Sequence, residues 1–165
     1  MSMRPRRRRA SGFTVIELLI VIAIIGILAA IAIPNLLNAV QRGKQKRTMA
    51  DMKALATAIE AYQVDNSEYP AAACPGGAYT MPGPRLDESS FSNLAPTYIA
   101  QPPWRDAWSK AFRYSLRADL AAYNLRSMGR DGTLDPAACG TTTDFNQDII
   151  YSNGTFLQWP EGTQQ

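Results

Sequence analysis

A single carboxylate, Glu17, lies inside an apolar run near the N-terminus. The run extends over the 21 residues from Phe13 to Ile33, and Glu17 is its only charged residue. Such a run is long enough to cross a bilayer as a helix, where a carboxylate is costly unless a cation and hydrogen bonds compensate its charge. We therefore predict that Glu17 has a function beyond membrane anchoring.

The rest of the chain offers little for catalysis. It has no histidine, which removes the commonest general base and proton shuttle. It also lacks a nucleophile elbow, a P-loop and a glycine-rich dinucleotide turn. Asp87 and Glu88 are adjacent in sequence and would point to opposite faces, so they do not form an acid/base pair. We interpret them as solvated loop residues. These observations predict that the chain is not an enzyme.

The two cysteines, Cys74 and Cys139, are candidates for a disulfide. An even number of cysteines in an exported domain favours a disulfide. Closing the loop between these two would stabilise the fold by about 4 kcal/mol according to chain entropy. Two unpaired thiols are the alternative, whereas metal ligation by two cysteines without histidine is disfavoured.

The segment before the apolar run is strongly basic. Residues 1–12 contain five arginines and no acidic residue, so the positive-inside bias keeps this end in the cytoplasm. A conventional secretory signal, cleaved near Ala30–Ala32 to release a periplasmic binding module, would have a similar layout. The length of the run, Glu17 within it and Pro34 just behind that site argue against such a signal. A plain single-span anchor would leave Glu17 unexplained.

The segment from Gly12 to Pro34, GFTVIELLIVIAIIGILAAIAIP, resembles the type IV prepilin signature of type IV pilins and type II secretion pseudopilins. The resemblance implies that a prepilin peptidase cleaves after Gly12 and that the new first residue, Phe13, is N-methylated. It also implies that the apolar helix is retained. Glu17 would then face the N-terminal amine of a neighbouring Phe13 inside a filament.

Cleavage after Gly12 would reverse the sign of the net charge. The full chain of 165 residues has 17 basic and 14 acidic residues and a pI near 9.0, which invites a nucleic-acid role. Removing the five leader arginines leaves 12 basic and 14 acidic residues, a net charge of −2. The soluble domain is therefore predicted not to bind nucleic acid.

The helix is predicted to continue beyond the membrane. Over 35–64, apolar residues recur every three or four positions with charged residues between them, which indicates an amphipathic helix. From Phe13 to Val64 the helix would be about 78 Å long, a length that suits packing along a filament axis. Pro34, with Gly26 before it, would either allow a local bend on assembly or mark the membrane surface.

The second half of the chain is predicted to contain turns and strands. Residues 71–103 are rich in proline, glycine and serine and predict a long loop with one short helix near Ser90–Leu94. Asn153–Gly154 is the strongest hairpin signal, because a type I′ turn needs positive φ at both positions. Period-two alternation predicts two hairpins. Their strands are Phe112–Arg117, Tyr123–Ser127, Ile149–Ser152 and Thr155–Trp159.

These patterns predict an α+β fold. A long N-terminal helix, transmembrane in its first half and amphipathic in its second, would pack on a small antiparallel β-sheet. The chain would comprise a cleaved basic leader at 1–12 and a transmembrane assembly helix at 13–34. Residues 35–165 would then form the rest of the helix and a periplasmic pilin-type domain.

The soluble part is similar to the major pseudopilins of type II secretion. Residues 92–99, 106–114 and 127–132 resemble the patterns L-x-P-x-Y-I, D-P-W-G-x-P-Y-x-Y and S-x-G-x-D-G. This chain departs from the second pattern, D-P-W-G-x-P-Y-x-Y. Ala107 and Ala111 replace its two prolines, and Ser109 replaces its glycine.

Pseudopilins of this kind bind Ca²⁺ in the loop after S-x-G-x-D-G, so the resemblance implies a Ca²⁺ site here. Several carboxylates without histidine or cysteine suit a hard cation. The spacing is not that of an EF-hand, and solvated acidic turns are the alternative. The candidate ligands are Asp131, Asp135, Asp144 and Asp148.

The resemblances imply a structural filament subunit, the major pseudopilin of type II secretion. It would be a single-pass protein of the bacterial inner membrane with its soluble domain in the periplasm. The implied partners are further copies of the chain, the prepilin peptidase, minor pseudopilins, the inner-membrane assembly platform and membrane lipid. The alternative is the major pilin of a surface type IV pilus, which serves adhesion, motility or DNA uptake.

Overall fold

The computed structural model describes residues 12–70, 94–116, 122–136 and 140–161. Two compact units divide the chain, Met1–Ala39 and Val40–Gln165. The elements in chain order are the helix α1 (Val15–Asn66) and the strands β1 (Arg113–Leu116), β2 (Tyr123–Ser127), β3 (Gly140–Thr142), β4 (Ile149–Ser152) and β5 (Thr155–Pro160).

Helix α1 confirms the predicted long helix. It continues through Pro34 without interruption and ends at Asn66, within the predicted group of turn formers. Beside Pro34, the Asn35 side-chain amide donates to the Ile31 carbonyl at 3.1 Å and adds a hydrogen bond to this turn. Ser67 follows the helix with a φ of 62°, the left-handed conformation that commonly ends helices.

The five strands form one mixed sheet in the order β1-β2-β4-β5-β3. Both predicted hairpins are present as antiparallel pairs, β1 with β2 and β4 with β5. Asn153 and Gly154 have φ values of 44° and 87°, as the predicted turn requires.

The predicted α+β fold is confirmed, and the sheet is antiparallel as predicted except at β3, which pairs in parallel with β5. Residues 143–148 join β3 to β4 in a short connection, so β3 runs antiparallel to β4. Because β4 and β5 form an antiparallel hairpin, β3 is then parallel to β5. Strand β3 has only three residues, Gly140–Thr142, and too short an alternation to predict from sequence. The short helix predicted near 90–94 lies mostly outside the described residues.

The hydrophobic core belongs to the second unit. Met52, Leu55 and Ile59 on α1 are fully buried and pack in one cluster with residues of the sheet. Each such side chain stabilises the fold by about 1.5–3 kcal/mol relative to exposure. The buried partners from the sheet and the segments before it include Leu94, Phe112, Tyr114, Tyr123, Leu125 and Ile149.

Candidate functional site

Glu17 lies in the first turn of α1 and closes a hydrogen-bonded ring with Thr14. Its carboxylate accepts hydrogen bonds from the Thr14 amide at 2.9 Å and from the Thr14 hydroxyl at 2.7 Å. The Glu17 amide donates to the Thr14 hydroxyl at 3.3 Å. This is a capping box, in which two side chains satisfy amides at a helix start. It holds the Glu17 carboxylate against the amide of Thr14, the residue that follows Phe13.

The first unit carries a continuous set of exposed apolar side chains. Ile16, Leu28 and Ile31 are 65%, 61% and 64% exposed. By length and composition α1 could cross a membrane, a property that it shares with signal sequences near an N-terminus. Exposed apolar surface on this scale is typical of a site that contacts a membrane or another protein.

Two of the sequence patterns meet at Asp106. One of its carboxylate oxygens accepts from the amides of Trp108 and Lys110, at 2.9 and 2.8 Å. The other accepts from the Ser127 hydroxyl at 2.7 Å. Burial raises the pKa of Asp106, and these hydrogen bonds oppose the rise. Asp106, the first residue of the D-x-W segment (106–108), is thus hydrogen-bonded to Ser127, the first residue of the S-x-G-x-D-G pattern (127–132).

The D-x-W segment is also fixed to the helix. The Ala107 amide donates to the buried Thr48 hydroxyl at 3.1 Å, and the Trp108 indole donates to Gln41 at 2.8 Å. Ser109, where the pattern has glycine, has a φ of 64°. Glycine adopts that conformation without strain, which explains the residue type in the pattern.

The loop after β2 depends on Gly129. Its φ is +60°, and a Cβ at this position would lie 2.3 Å from the Asn146 carbonyl oxygen and 2.7 Å from that of Gln147. The next residue, Arg130, donates its amide to the Phe145 carbonyl at 2.9 Å. The glycine of S-x-G-x-D-G therefore lets the backbone after β2 approach the backbone before β4 closely.

The structure places two of the predicted Ca²⁺ ligands in turns of their own. Asp131 accepts from the Thr133 amide at 3.0 Å and the Thr133 hydroxyl at 2.7 Å. Asp144 accepts from the Asn146 amide at 2.9 Å. Within the described residues, no group of three or more acidic, cysteine or histidine side chains is arranged to hold a metal ion.

The other two predicted ligands come together around Arg126. The side chains of Arg126 and Asp148 are 4% and 0% exposed and form an ion pair. Arg126 also donates to the Asp135 carbonyl, and the Asp135 amide donates to Asp148 at 3.3 Å. Burial raises the pKa of Asp148 to about 6, and the Arg126 cation opposes the rise. Ca²⁺ binding by the chain stays a prediction.

Sequence analysis missed Arg126, and it identified Asp106 as part of a pattern without predicting its contact with Ser127. In the alternation Tyr123-Asn124-Leu125-Arg126-Ser127, the arginine would be expected on a solvated face. All five residues of β2 are buried, because the strand lies between β1 and β4. A charged residue within an otherwise uncharged strand was the available signal.

Cys74 and Cys139 lie outside the described residues, so their disulfide stays a prediction. We expect the oxidised full-length protein to contain no titratable thiol. Replacing both cysteines by serine should lower the free energy of unfolding by about 4 kcal/mol, because the unfolded chain regains loop entropy. Urea unfolding followed by tryptophan fluorescence measures the loss. Two reactive thiols in the oxidised native protein would contradict this pairing.

A basic leader, a glycine–phenylalanine junction and an apolar helix define the class of proteins that carry the prokaryotic N-terminal methylation motif, whose family model matches residues 7–33. The model described as type II secretion system (T2SS), protein G, matches residues 35–149. That match covers more than half of the chain, so the chain belongs to the type II secretion system protein G family.

Curated relatives named type II secretion system core protein G support the same assignment. The chain is 32% identical over 127 residues to the protein of Aeromonas hydrophila, covering 77% of this chain and 87% of that protein. It is 31% identical over 133 residues to the protein of Vibrio cholerae serotype O1, covering 77% and 85%. It is 31% identical over 134 residues to the protein of Pseudomonas aeruginosa, covering 77% and 88%. This family consists of structural secretion components and not of enzymes.

Proposed function

We propose that this chain is the major pseudopilin, the subunit that polymerises into the pseudopilus of a type II secretion system. The observation that carries the proposal is the family match over residues 35–149. The prepilin signature is shared by surface pilins and secretion pseudopilins, so only the soluble domain separates them. The hydrogen bond between Asp106 and Ser127 supports this choice, because it gives a structural reason for both of the patterns that favour secretion.

The apolar half of α1 would serve first as the membrane anchor and then as the assembly element. Within lipid, helices gain little hydrophobic free energy from pairing, because the lipid tails are as apolar as the side chains. Polar contacts between helices therefore contribute a larger share of the free energy of association than they would in water. Glu17 is the charged residue available within this segment, and the new amine of Phe13 in another subunit would be its partner.

The remaining parts of the proposal concern location and partners. The five leader arginines would hold the N-terminus in the cytoplasm, so the second unit would lie in the periplasm. The prepilin peptidase would act on the leader, and an inner-membrane assembly platform with its ATPase would extract the subunit from lipid. Minor pseudopilins and further copies of the chain would complete the filament.

The processed protein is expected to begin with N-methyl-phenylalanine at position 13. The measurement is mass spectrometry of the N-terminal peptide from membranes of the native host. The unprocessed chain from a strain without prepilin peptidase is the control and should retain residues 1–12. A mature protein that begins at Ile33 or nearby would contradict the pilin-like pathway, because the assembly helix would then be lost.

The surface pilus remains the alternative against which the secretion proposal is tested. A gene neighbourhood that encodes an outer-membrane secretin with minor pseudopilins supports secretion. A retraction ATPase in that neighbourhood, with loss of surface pili on deletion of this gene, would favour a pilus.

A further inference from the structure

The buried ion pair between Arg126 and Asp148 has no part in the proposed function. Arg126 lies in β2, opposite Ile150 of β4, and Asp148 directly precedes β4. Their side chains are 4% and 0% exposed. Charges so deeply buried are rare unless each is compensated by a partner, so this pair must be explained by what it holds together.

The Arg126 guanidinium joins two parts of the connection between β2 and β4, which contains β3. It contacts the Asp148 carboxylate, directly before β4, and donates to the Asp135 carbonyl, which precedes β3. The Asp135 amide donates to the same carboxylate at 3.3 Å. One cation therefore binds a carboxylate and a backbone carbonyl, which are also the oxygen ligands that Ca²⁺ prefers.

The residues present do not fit a Ca²⁺ ion at this position. Ca²⁺ takes about six to eight oxygen ligands, and within the described residues no three acidic groups converge. Asp148 has one carboxylate oxygen bound to Arg126, while its other oxygen has no hydrogen-bond partner in the described part of the chain. Arg113 lies opposite Arg126 in the register of β1 and β2, on the same face of the sheet. A divalent cation at this position would be repelled by the positive charges of Arg113 and Arg126.

We propose that the Arg126 guanidinium is the built-in cation of the connection between β2 and β4, and that it joins Asp148 to Asp135 as a bound Ca²⁺ would, so this contact is held without a divalent ion. A guanidinium suits this role because its donors are rigidly arranged and it stays charged at every accessible pH. The inference concerns stability and does not rest on the proposed function.

The first test needs no variant. The full-length protein in detergent is melted with EDTA, with millimolar Ca²⁺ and with neither, and tryptophan fluorescence follows unfolding. Its three tryptophans, Trp104, Trp108 and Trp159, all lie in the second unit and so report on it directly. We expect the same Tm in all three conditions. A Tm that falls with EDTA and returns with Ca²⁺ would overturn the proposal.

The second test compares two arginines of the same region. R126M removes the buried cation and leaves the Asp148 carboxylate without a counter-charge, so Tm should fall by roughly 10 °C or more. R130M removes the same charge from an exposed residue, whose side chain donates to Asn146 at 2.9 Å, and should leave Tm nearly unchanged. Equal effects of the two substitutions would overturn the proposal.

The double variant R126M/D148L keeps the test decisive if R126M does not fold. It removes both charges together and leaves neither buried alone, so its Tm should lie well above that of R126M. A double variant as unstable as R126M would show that Arg126 acts through its apolar packing, and would reject its role as a cation.

Discussion

Replacing Glu17 by glutamine is expected to abolish filament assembly and to leave the protein inserted in the inner membrane. Glutamine has nearly the same shape and can still accept hydrogen bonds from Thr14, so the start of α1 should persist. The substitution removes only the negative charge. In the filament the amine of a neighbouring Phe13 would then be buried without a counter-charge, which should weaken subunit addition by roughly 100-fold or more.

The assembly experiment compares sheared filaments and membrane-inserted subunits from the same cells by immunoblot. Glu68→Gln is the matched control, because it makes the same chemical change at an exposed residue just after α1, and it should assemble normally. Filaments of Glu17→Gln at the wild-type level would contradict the pairing of Glu17 with Phe13. Loss of the variant from the membrane fraction would contradict a role restricted to assembly.

Replacing Gly129 by alanine should lower the free energy of unfolding by about 2–4 kcal/mol. Alanine at a φ of +60° is strained, which costs about 1 kcal/mol or more. The added Cβ would also lie 2.3 Å from the carbonyl oxygen of Asn146, so one of two backbone segments would have to move. Backbone atoms move less easily than the end of a flexible side chain. The cost of this close contact therefore adds to the cost of the strained φ.

Gly154→Ala is the control that separates strain from crowding. Gly154 also has a positive φ, +87°, but a Cβ there would have nothing within 4 Å. We expect a loss of about 1 kcal/mol from conformation alone. Urea unfolding of the full-length variants, followed by tryptophan fluorescence, measures both changes. Equal losses at the two positions would show that Asn146 does not crowd Gly129.

The elements that sequence patterns predicted well are those set by local signals. The helix was expected over Phe13–Val64 and is found over Val15–Asn66, because its apolar period and its terminating residues are near in sequence. The hairpin around Asn153–Gly154 was equally predictable, since two adjacent residues specify its turn. Strand β3 was not, because only its pairing with the distant edge of β5 makes it a strand.

The site was predicted less completely, because its important contacts are not local. The Glu17 capping box lies within three residues and could be inferred from sequence. The pair of Arg126 with Asp148 and that of Asp106 with Ser127 join residues more than 20 positions apart. The family resemblance implied one cation site for four aspartates, whereas the fold brings Asp135 and Asp148 together at the Arg126 guanidinium.

The hydrogen bonds between Glu17 and Thr14 have a consequence for the energetics of polymerisation. A subunit waiting in the membrane does not hold a bare charge, since its carboxylate already has two donors from its own chain. Both donors bond the same carboxylate oxygen, so the amine of an incoming Phe13 can bind the other oxygen and share the carboxylate with Thr14. The driving force at this contact is then the difference between two hydrogen-bonded states, and a small difference would allow a subunit that is wrongly placed to leave before the next one is added.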